Sequence, residues 1–197
     1  SLYPEENNLA QLNLLGSHDT ARFLSLAQND ERALCLAVLF QMTYVGAPCV
    51  YYGDEIGMMG ARDPDSRRGM IWDAKQWNTA ILDCYKRLIR ARCERLVLRR
   101  GTYQTLYAQG RTIVFGRRYG DETCIVAINA ERSTKVLDVP MAGYLPDGAI
   151  LKDAFGDTTF QVIEGAIHEL KLSPQSGRMF DCIMPTGAPP TPAARHD

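Results

Sequence analysis

The sequence predicts an α/β segment over residues 1–100 followed by an all-β segment over residues 101–184. Three observations carry this. Two short apolar runs with strand character, Leu12–Leu15 and Cys49–Tyr52, alternate with long helical patterns, the arrangement of a parallel sheet covered by helices. Beyond Gly101 the helical patterns stop. Short β-rich runs take over at Thr112–Phe115, Thr123–Ile128, Lys135–Val139, Thr158–Val162, Ala166–Leu172 and Arg178–Met184, with Gly, Asp and Asn between them, the texture of an antiparallel sandwich.

Taken in order, Leu12–Leu15 reads as a strand that ends in the polar group Gly16-Ser17-His18-Asp19. Residues Glu31 to Tyr44 form a helix that is apolar nearly all round, so it is expected to be buried. Gly46-Ala47-Pro48 stops it. The aromatic and β-branched run Cys49-Val50-Tyr51-Tyr52 reads as the second strand, again ending in polar residues, Gly53-Asp54-Glu55. A long loop follows from Gly57 to about Trp77, and loops of that length are uncommon unless they serve a function. The helix over Thr79–Glu94 carries Ile81, Leu82, Tyr85, Leu88 and Ile89 on one face. Its basic residues Lys86, Arg87, Arg90, Arg92 and Arg95 read as a solvated face. Two strand–helix units cannot close a barrel by themselves, so their strand edges call for neighbours. The Pro- and Ala-rich tail over 185–197 reads as mobile.

Composition narrows the function. Apolar residues make up 46% and charged residues 23% of the 197, enough to bury a sizeable core. A formal net charge of −1 supplies no field for nucleic acid or an anionic membrane, so neither is expected as a partner. The longest uninterrupted apolar run, Ala33 to Phe40, is far short of a membrane span. Six cysteines, Cys35, Cys49, Cys84, Cys93, Cys124 and Cys182, form no C-x-x-C pair. They read as reduced core thiols, which points to a reducing compartment, the cytoplasm. No metal or other cofactor is expected.

The candidate chemistry sits at the C-terminal ends of the two strands, where parallel α/β folds place their active residues. His18-Asp19 lies at one end and Asp54-Glu55 at the other. Spacing alone leaves two readings open: a helix cap and a turn, or a glycosidase pair of acid and nucleophile.

The segment Leu14-Leu15-Gly16-Ser17-His18-Asp19-Thr20-Ala21-Arg22-Phe23 resembles the fourth signature region of the α-amylase family, glycoside hydrolase family thirteen. It is most similar to the neopullulanase, cyclomaltodextrinase and maltogenic amylase branch. Gly46 to Met58 resembles that family's eighth barrel strand. The loop Asp63-Pro64-Asp65-Ser66-Arg67-Arg68, with Ile71-Trp72-Asp73, resembles the segment beyond it. The resemblance implies the C-terminal segment of a (β/α)8 TIM barrel followed by an antiparallel β-sandwich domain. It implies a retaining α-glucan hydrolase or transglycosidase, acting on α-1,4 and possibly α-1,6 bonds of maltooligosaccharides, cyclodextrins or pullulan. Asp19 matches the carboxylate that stabilises the transition state, and His18 the histidine that bonds the same sugar. Asp63 and Arg67 match a substrate-binding pair on the non-reducing side of the cleaved bond, with Arg68 as a neighbouring alternative. Asp54 and Glu55 match a structural strand end, so the glycosidase pair is set aside for them. Tyr51, Tyr52 and Trp72 have rings that could stack on sugars, with packing in the core the expectation preferred for them.

The family's nucleophile, on the fourth strand, and its acid, a glutamate on the fifth, have no counterpart in this sequence. The polypeptide alone is therefore expected to be inactive. Its strand edges are expected to drive self-association. The competing expectation is a non-catalytic glucan-binding or assembly module.

Overall fold

The computed structural model describes residues 4–185. The expected mobile tail lies outside the described residues from 186 on. The chain divides into two compact units, one up to Arg95 and one from Leu96.

The first unit opens with α1 (Glu5–Leu9) and β1 (Leu12–Leu14), and continues through α2 (Phe23–Leu26) and α3 (Glu31–Thr43) to β2 (Ala47–Cys49). After a long loop it closes with α4 (Thr79–Glu94). β1 and β2 pair in parallel, Leu12 opposite Ala47 and Leu14 opposite Cys49. The second strand starts and stops earlier than its sequence suggests. Val50 to Tyr52 lie beyond the paired residues, where Gly53 turns the chain at φ 83° and the Tyr52 carbonyl accepts from an arginine side chain.

Side chains fix both long helices. The Asp30 carboxylate accepts from the amides of Arg32 and Ala33 at 3.0 and 3.1 Å, and Asn78 accepts from Ile81 at 3.1 Å, each satisfying amides that a helix start leaves open. From α3, Gln41 Nε2 donates to the carbonyls of Asn13 and Cys49 at 2.9 and 3.0 Å. One buried amide thereby spans both strands. α4 buries Ile81, Cys84, Tyr85, Leu88 and Ala91, the spacing of one helical face. Arg92 departs from its expected solvated place. It is buried and donates to the carbonyls of Met42, Tyr44 and Gly46 at 2.8, 3.1 and 2.6 Å, closing the C-terminal end of α3, where carbonyls lack intrahelical donors.

The second unit starts with α5 (Leu96–Arg100), placed by the sequence in the α/β segment. Its Val97 and Leu98 are buried and its first turn is held by Glu122, which accepts from the Val97 amide at 3.1 Å. Eight strands follow: β3 (Thr102–Gln109), β4 (Thr112–Tyr119), β5 (Glu122–Asn129), β6 (Lys135–Pro140), β7 (Ile150–Asp153), β8 (Thr159–Gln161), β9 (Ala166–Leu172) and β10 (Ser176–Ile183). Six form an antiparallel sheet in the order β3-β4-β5-β10-β7-β8, and β6 pairs with β9. The two layers enclose Val114, Ile125, Leu137, Leu151, Leu170 and Phe180, a sandwich core. β3 and β7 went unread in the sequence. The cysteines are less uniform than expected: Cys84 and Cys124 are buried and Cys93 is exposed.

Candidate functional site

Beyond β1 the chain turns sharply through Ser17-His18-Asp19-Thr20. The Thr20 hydroxyl accepts from the Ser17 amide at 3.1 Å, and the Ser17 hydroxyl accepts from the Asp19 amide at 3.2 Å. These local bonds suit a turn in which short polar side chains replace backbone partners. They leave His18 and Asp19 projecting outward, with side chains 64% and 71% exposed and His18 Nε2 3.2 Å from Asp19 Oδ2.

The long loop after β2 meets this turn. A 3-10 turn over Asp65–Arg67 brings Arg67 beneath it. Arg67 Nε donates to the His18 carbonyl at 3.1 Å and lies 2.7 Å from Asp63 Oδ1. Arg67 Nη2 lies 3.6 Å from Asp19 Oδ1. All four site residues expected from the sequence, His18, Asp19, Asp63 and Arg67, thus meet in one cluster. Its centre is a guanidinium with a carboxylate on either side. The neighbouring Arg68 belongs elsewhere: its Nε donates to Asp65 Oδ1 at 2.6 Å. The Ala61 amide, donating to Asp65 at 2.6 Å, and then Arg68 hold the Asp65 carboxyl below its usual range.

Beneath the exposed cluster lies a buried one that the sequence did not disclose. Arg22 is fully buried. Its Nη1 donates to the Tyr52 carbonyl and to Asp54 Oδ1, both at 2.7 Å. Its guanidinium carbon lies 4.6 and 5.0 Å from the ring centres of Tyr51 and Tyr52, within cation–π range. The Asp54 side chain is 5% exposed. Burial pushes its carboxyl above the usual range, with Arg22 opposing the shift. The other Asp54 oxygen lies against Gly16, where a Cβ would stand 2.6 Å from Oδ2. Tyr51 and Tyr52 therefore face an arginine, not an apolar core. Trp72, also expected in the core, is 81% exposed, being carried on the loop rather than on an element with an inner face. The signal for the buried cluster was a glycine and an arginine flanking the His18-Asp19 turn, together with Asp54 at a strand end. Nothing in the spacing tied those three together. Among the described residues, no group of three or more His, Cys, Asp or Glu side chains is placed to hold a metal ion, and no helix is long and apolar enough to cross a membrane.

Comparison with known proteins places both units. Residues 3–88 match the family described as "Alpha amylase, catalytic domain", and residues 103–180 match "Neopullulanase-like, C-terminal domain". The cyclomaltodextrinase of Thermoanaerobacter pseudethanolicus is 46% identical over 130 residues, which is 66% of this chain and 23% of that protein. Neopullulanase 2 of Thermoactinomyces vulgaris is 47% identical over 146 residues, 72% of this chain and 25% of the relative. The chain thus spans about a quarter of the length of these curated relatives. Among solved structures, an α-amylase from Geobacillus thermoleovorans complexed with acarbose superposes with a TM-score of 0.82 at 31% identity, over 90% of this chain and 40% of that one. The debranching enzyme of Nostoc punctiforme gives a TM-score of 0.79 at 40% identity, over 91% and 37%.

The buried pair makes a direct prediction about stability. Arg22→Met removes the cation and leaves the Asp54 carboxylate in a site without water, a change that typically costs about 3–5 kcal/mol. Denaturant unfolding should show a loss of that order, and an unchanged midpoint would contradict the pairing.

Proposed function

Because this chain belongs to the α-amylase family, we propose that it forms part of a retaining α-glucan hydrolase or transglycosidase. Its first unit is the C-terminal part of the family's (β/α)8 barrel and its second is the β domain that follows. The substrates we assign to the whole enzyme are maltooligosaccharides, cyclodextrins or pullulan, cleaved at α-1,4 and in some cases α-1,6 bonds. One observation carries this reading: Arg67 lies between Asp63 and Asp19 and also holds the His18 carbonyl, so four sugar-binding side chains share one exposed face.

Each group has a chemical reason to be there. Asp19, an acceptor, takes hydrogen bonds from hydroxyls of the reacting sugar. Those bonds tighten as the ring flattens toward an oxocarbenium-like state, and an interaction stronger in the transition state than in the ground state raises the rate. His18 reaches the same sugar and, when neutral, donates without adding charge. Arg67 offers several fixed donors and Asp63 an acceptor, a set suited to the vicinal hydroxyls of the next sugar on the non-reducing side. Arg67 also offsets part of the negative charge of the two carboxylates beside it. In the retaining mechanism a separate carboxylate forms the glycosyl-enzyme and a separate acid protonates the leaving oxygen. These 197 residues contribute the stabiliser and the sugar clamp. We also place the protein in the cytoplasm, on the support of six cysteines that stand as free thiols. A net charge of −1 gives no reason for a nucleic-acid or membrane-surface partner.

In the full-length enzyme, Asp19→Asn should lower kcat and kcat/KM together by orders of magnitude with little change in melting temperature. A rise in KM alone would mean that Asp19 binds ground state and transition state equally, and the role assigned to it would be wrong. The 197-residue polypeptide by itself should release no reducing sugar from maltooligosaccharides or cyclodextrins, and sustained release by a preparation free of other amylases would overturn that. It should also self-associate through β1, where Leu12 and Leu14 are exposed and the strand edge is open. Sedimentation over a range of concentrations should show a mass that rises with concentration. A constant monomer mass would refute association.

A further inference from the structure

The turn that carries His18 and Asp19 packs against one buried carboxylate at its N-terminal end and is bonded to it at its C-terminal end. On its N-terminal side Gly16 lies against Asp54 Oδ2, close enough that any side chain there would collide with it. On its C-terminal side Arg22 donates to Asp54 Oδ1 at 2.7 Å. The five residues between, 17–21, bond mainly to one another and to Arg67 and Ser66. Asp54 is itself set by the left-handed turn at Gly53 and by a 3-10 turn over Asp54–Ile56. A second tie runs alongside, in which the Arg22 amide donates to the Gly60 carbonyl at 3.0 Å and the Gly60 amide donates to Ser25 Oγ at 2.8 Å.

From this geometry we infer that Asp54 and Arg22 are positioning residues for Asp19: a buried ion pair that holds the exposed turn in the orientation its chemistry needs. The inference rests on the sugar-binding role given to Asp19 above. It explains why a charged pair is kept in a place without water. A buried pair contributes little net stability compared with well-packed apolar residues of the same size. What it contributes is direction. The guanidinium accepts only a narrow set of partner geometries, and here it meets a carboxylate and a backbone carbonyl at once. Among the described residues, Arg22 Nε and Nη2 have no protein acceptor, and the guanidinium lies over the faces of Tyr51 and Tyr52. Small displacements of a catalytic carboxylate are costly in rate, so the effect should appear in turnover more than in binding.

The test is a double-mutant cycle on kcat in the full-length enzyme. Asp54→Asn should lower kcat about tenfold with KM changed less than twofold. In an Asp19→Asn background the same change should lower kcat less than twofold, because a residue that acts through Asp19 has nothing left to act on. Additive losses would overturn the inference and assign Asp54 a general structural role. Should Asp54→Asn fail to fold, the apolar pair Arg22→Met with Asp54→Leu takes its place in the cycle. It should melt within a few degrees of the wild type yet turn over about tenfold more slowly, and wild-type kcat in that variant would overturn the positioning role. Wild-type kcat in Asp19→Asn alone would overturn the role of Asp19 itself, and the positioning role with it. Those failures are distinct.

Discussion

Arg22 carries its charge where water does not reach, and Asp54 is the group that makes this tolerable. Removing a guanidinium and a carboxylate from water costs several kcal/mol each, and their attraction recovers this only with good geometry. The geometry here is a contact of 2.7 Å, reinforced by the Tyr52 carbonyl at the same distance and by two aromatic faces. Much else in the first unit takes its place from this pair. The Tyr52 carbonyl, three residues beyond the end of β2, accepts from Arg22. Position 16 has no room for a side chain beside the carboxylate. The turn over 17–20 is short and is closed by its own hydroxyls.

The exposed cluster has the opposite character. Asp19, Asp63 and Arg67 are each about half exposed or more, so water screens their mutual attraction and the ion pairs add little to stability. Their value lies in remaining available. A guanidinium flanked by two carboxylates presents donors and acceptors in alternation, as the hydroxyls of a sugar do. On the proposed roles the two layers divide the work: the buried pair would fix direction, and the exposed cluster would meet the sugar. Asp65 and Arg68 form a third pair that fixes the loop from its far side, with Asp65 also accepting from the Ala61 amide.

Local chemistry made much of this fold legible. The limits of α3 and α4 follow from Asp30, Asn78 and Gly46, residues whose side chains or backbone freedom act within a turn of where they stand. The exposed cluster of His18, Asp19, Asp63 and Arg67 was singled out through a resemblance of motif, not through spacing, which left Asp19 and Asp54 open between a cap, a turn and an acid pair. What stayed hidden depended on partners far away in sequence. Arg92 looks like a solvated helix cation until the end of α3 is set beside it. Arg22 and Asp54 are 32 residues apart and carry no local mark of their pairing. β3 escaped because Tyr103-Gln104-Thr105-Leu106-Tyr107 does not alternate cleanly between apolar and polar, and only parts of it are covered. β7 is four residues long and buries just Leu151 and Asp153. Trp72 misled for a different reason: large aromatics are mostly buried, but this one is placed on a loop.

The central claim is that a pair fastened beneath the surface aims Asp19, with Arg67 and Asp63 beside it, at a single sugar chain. The most direct measurement is a crystal structure of the full-length enzyme with a non-cleavable maltooligosaccharide analogue. The account predicts Asp19 and His18 in hydrogen-bond contact with one sugar ring, Arg67 and Asp63 in contact with its non-reducing neighbour, and the Arg22–Asp54 contact unchanged from 2.7 Å. An analogue bound elsewhere in the protein, or bound here only after Arg22 and Asp54 have separated, would contradict it.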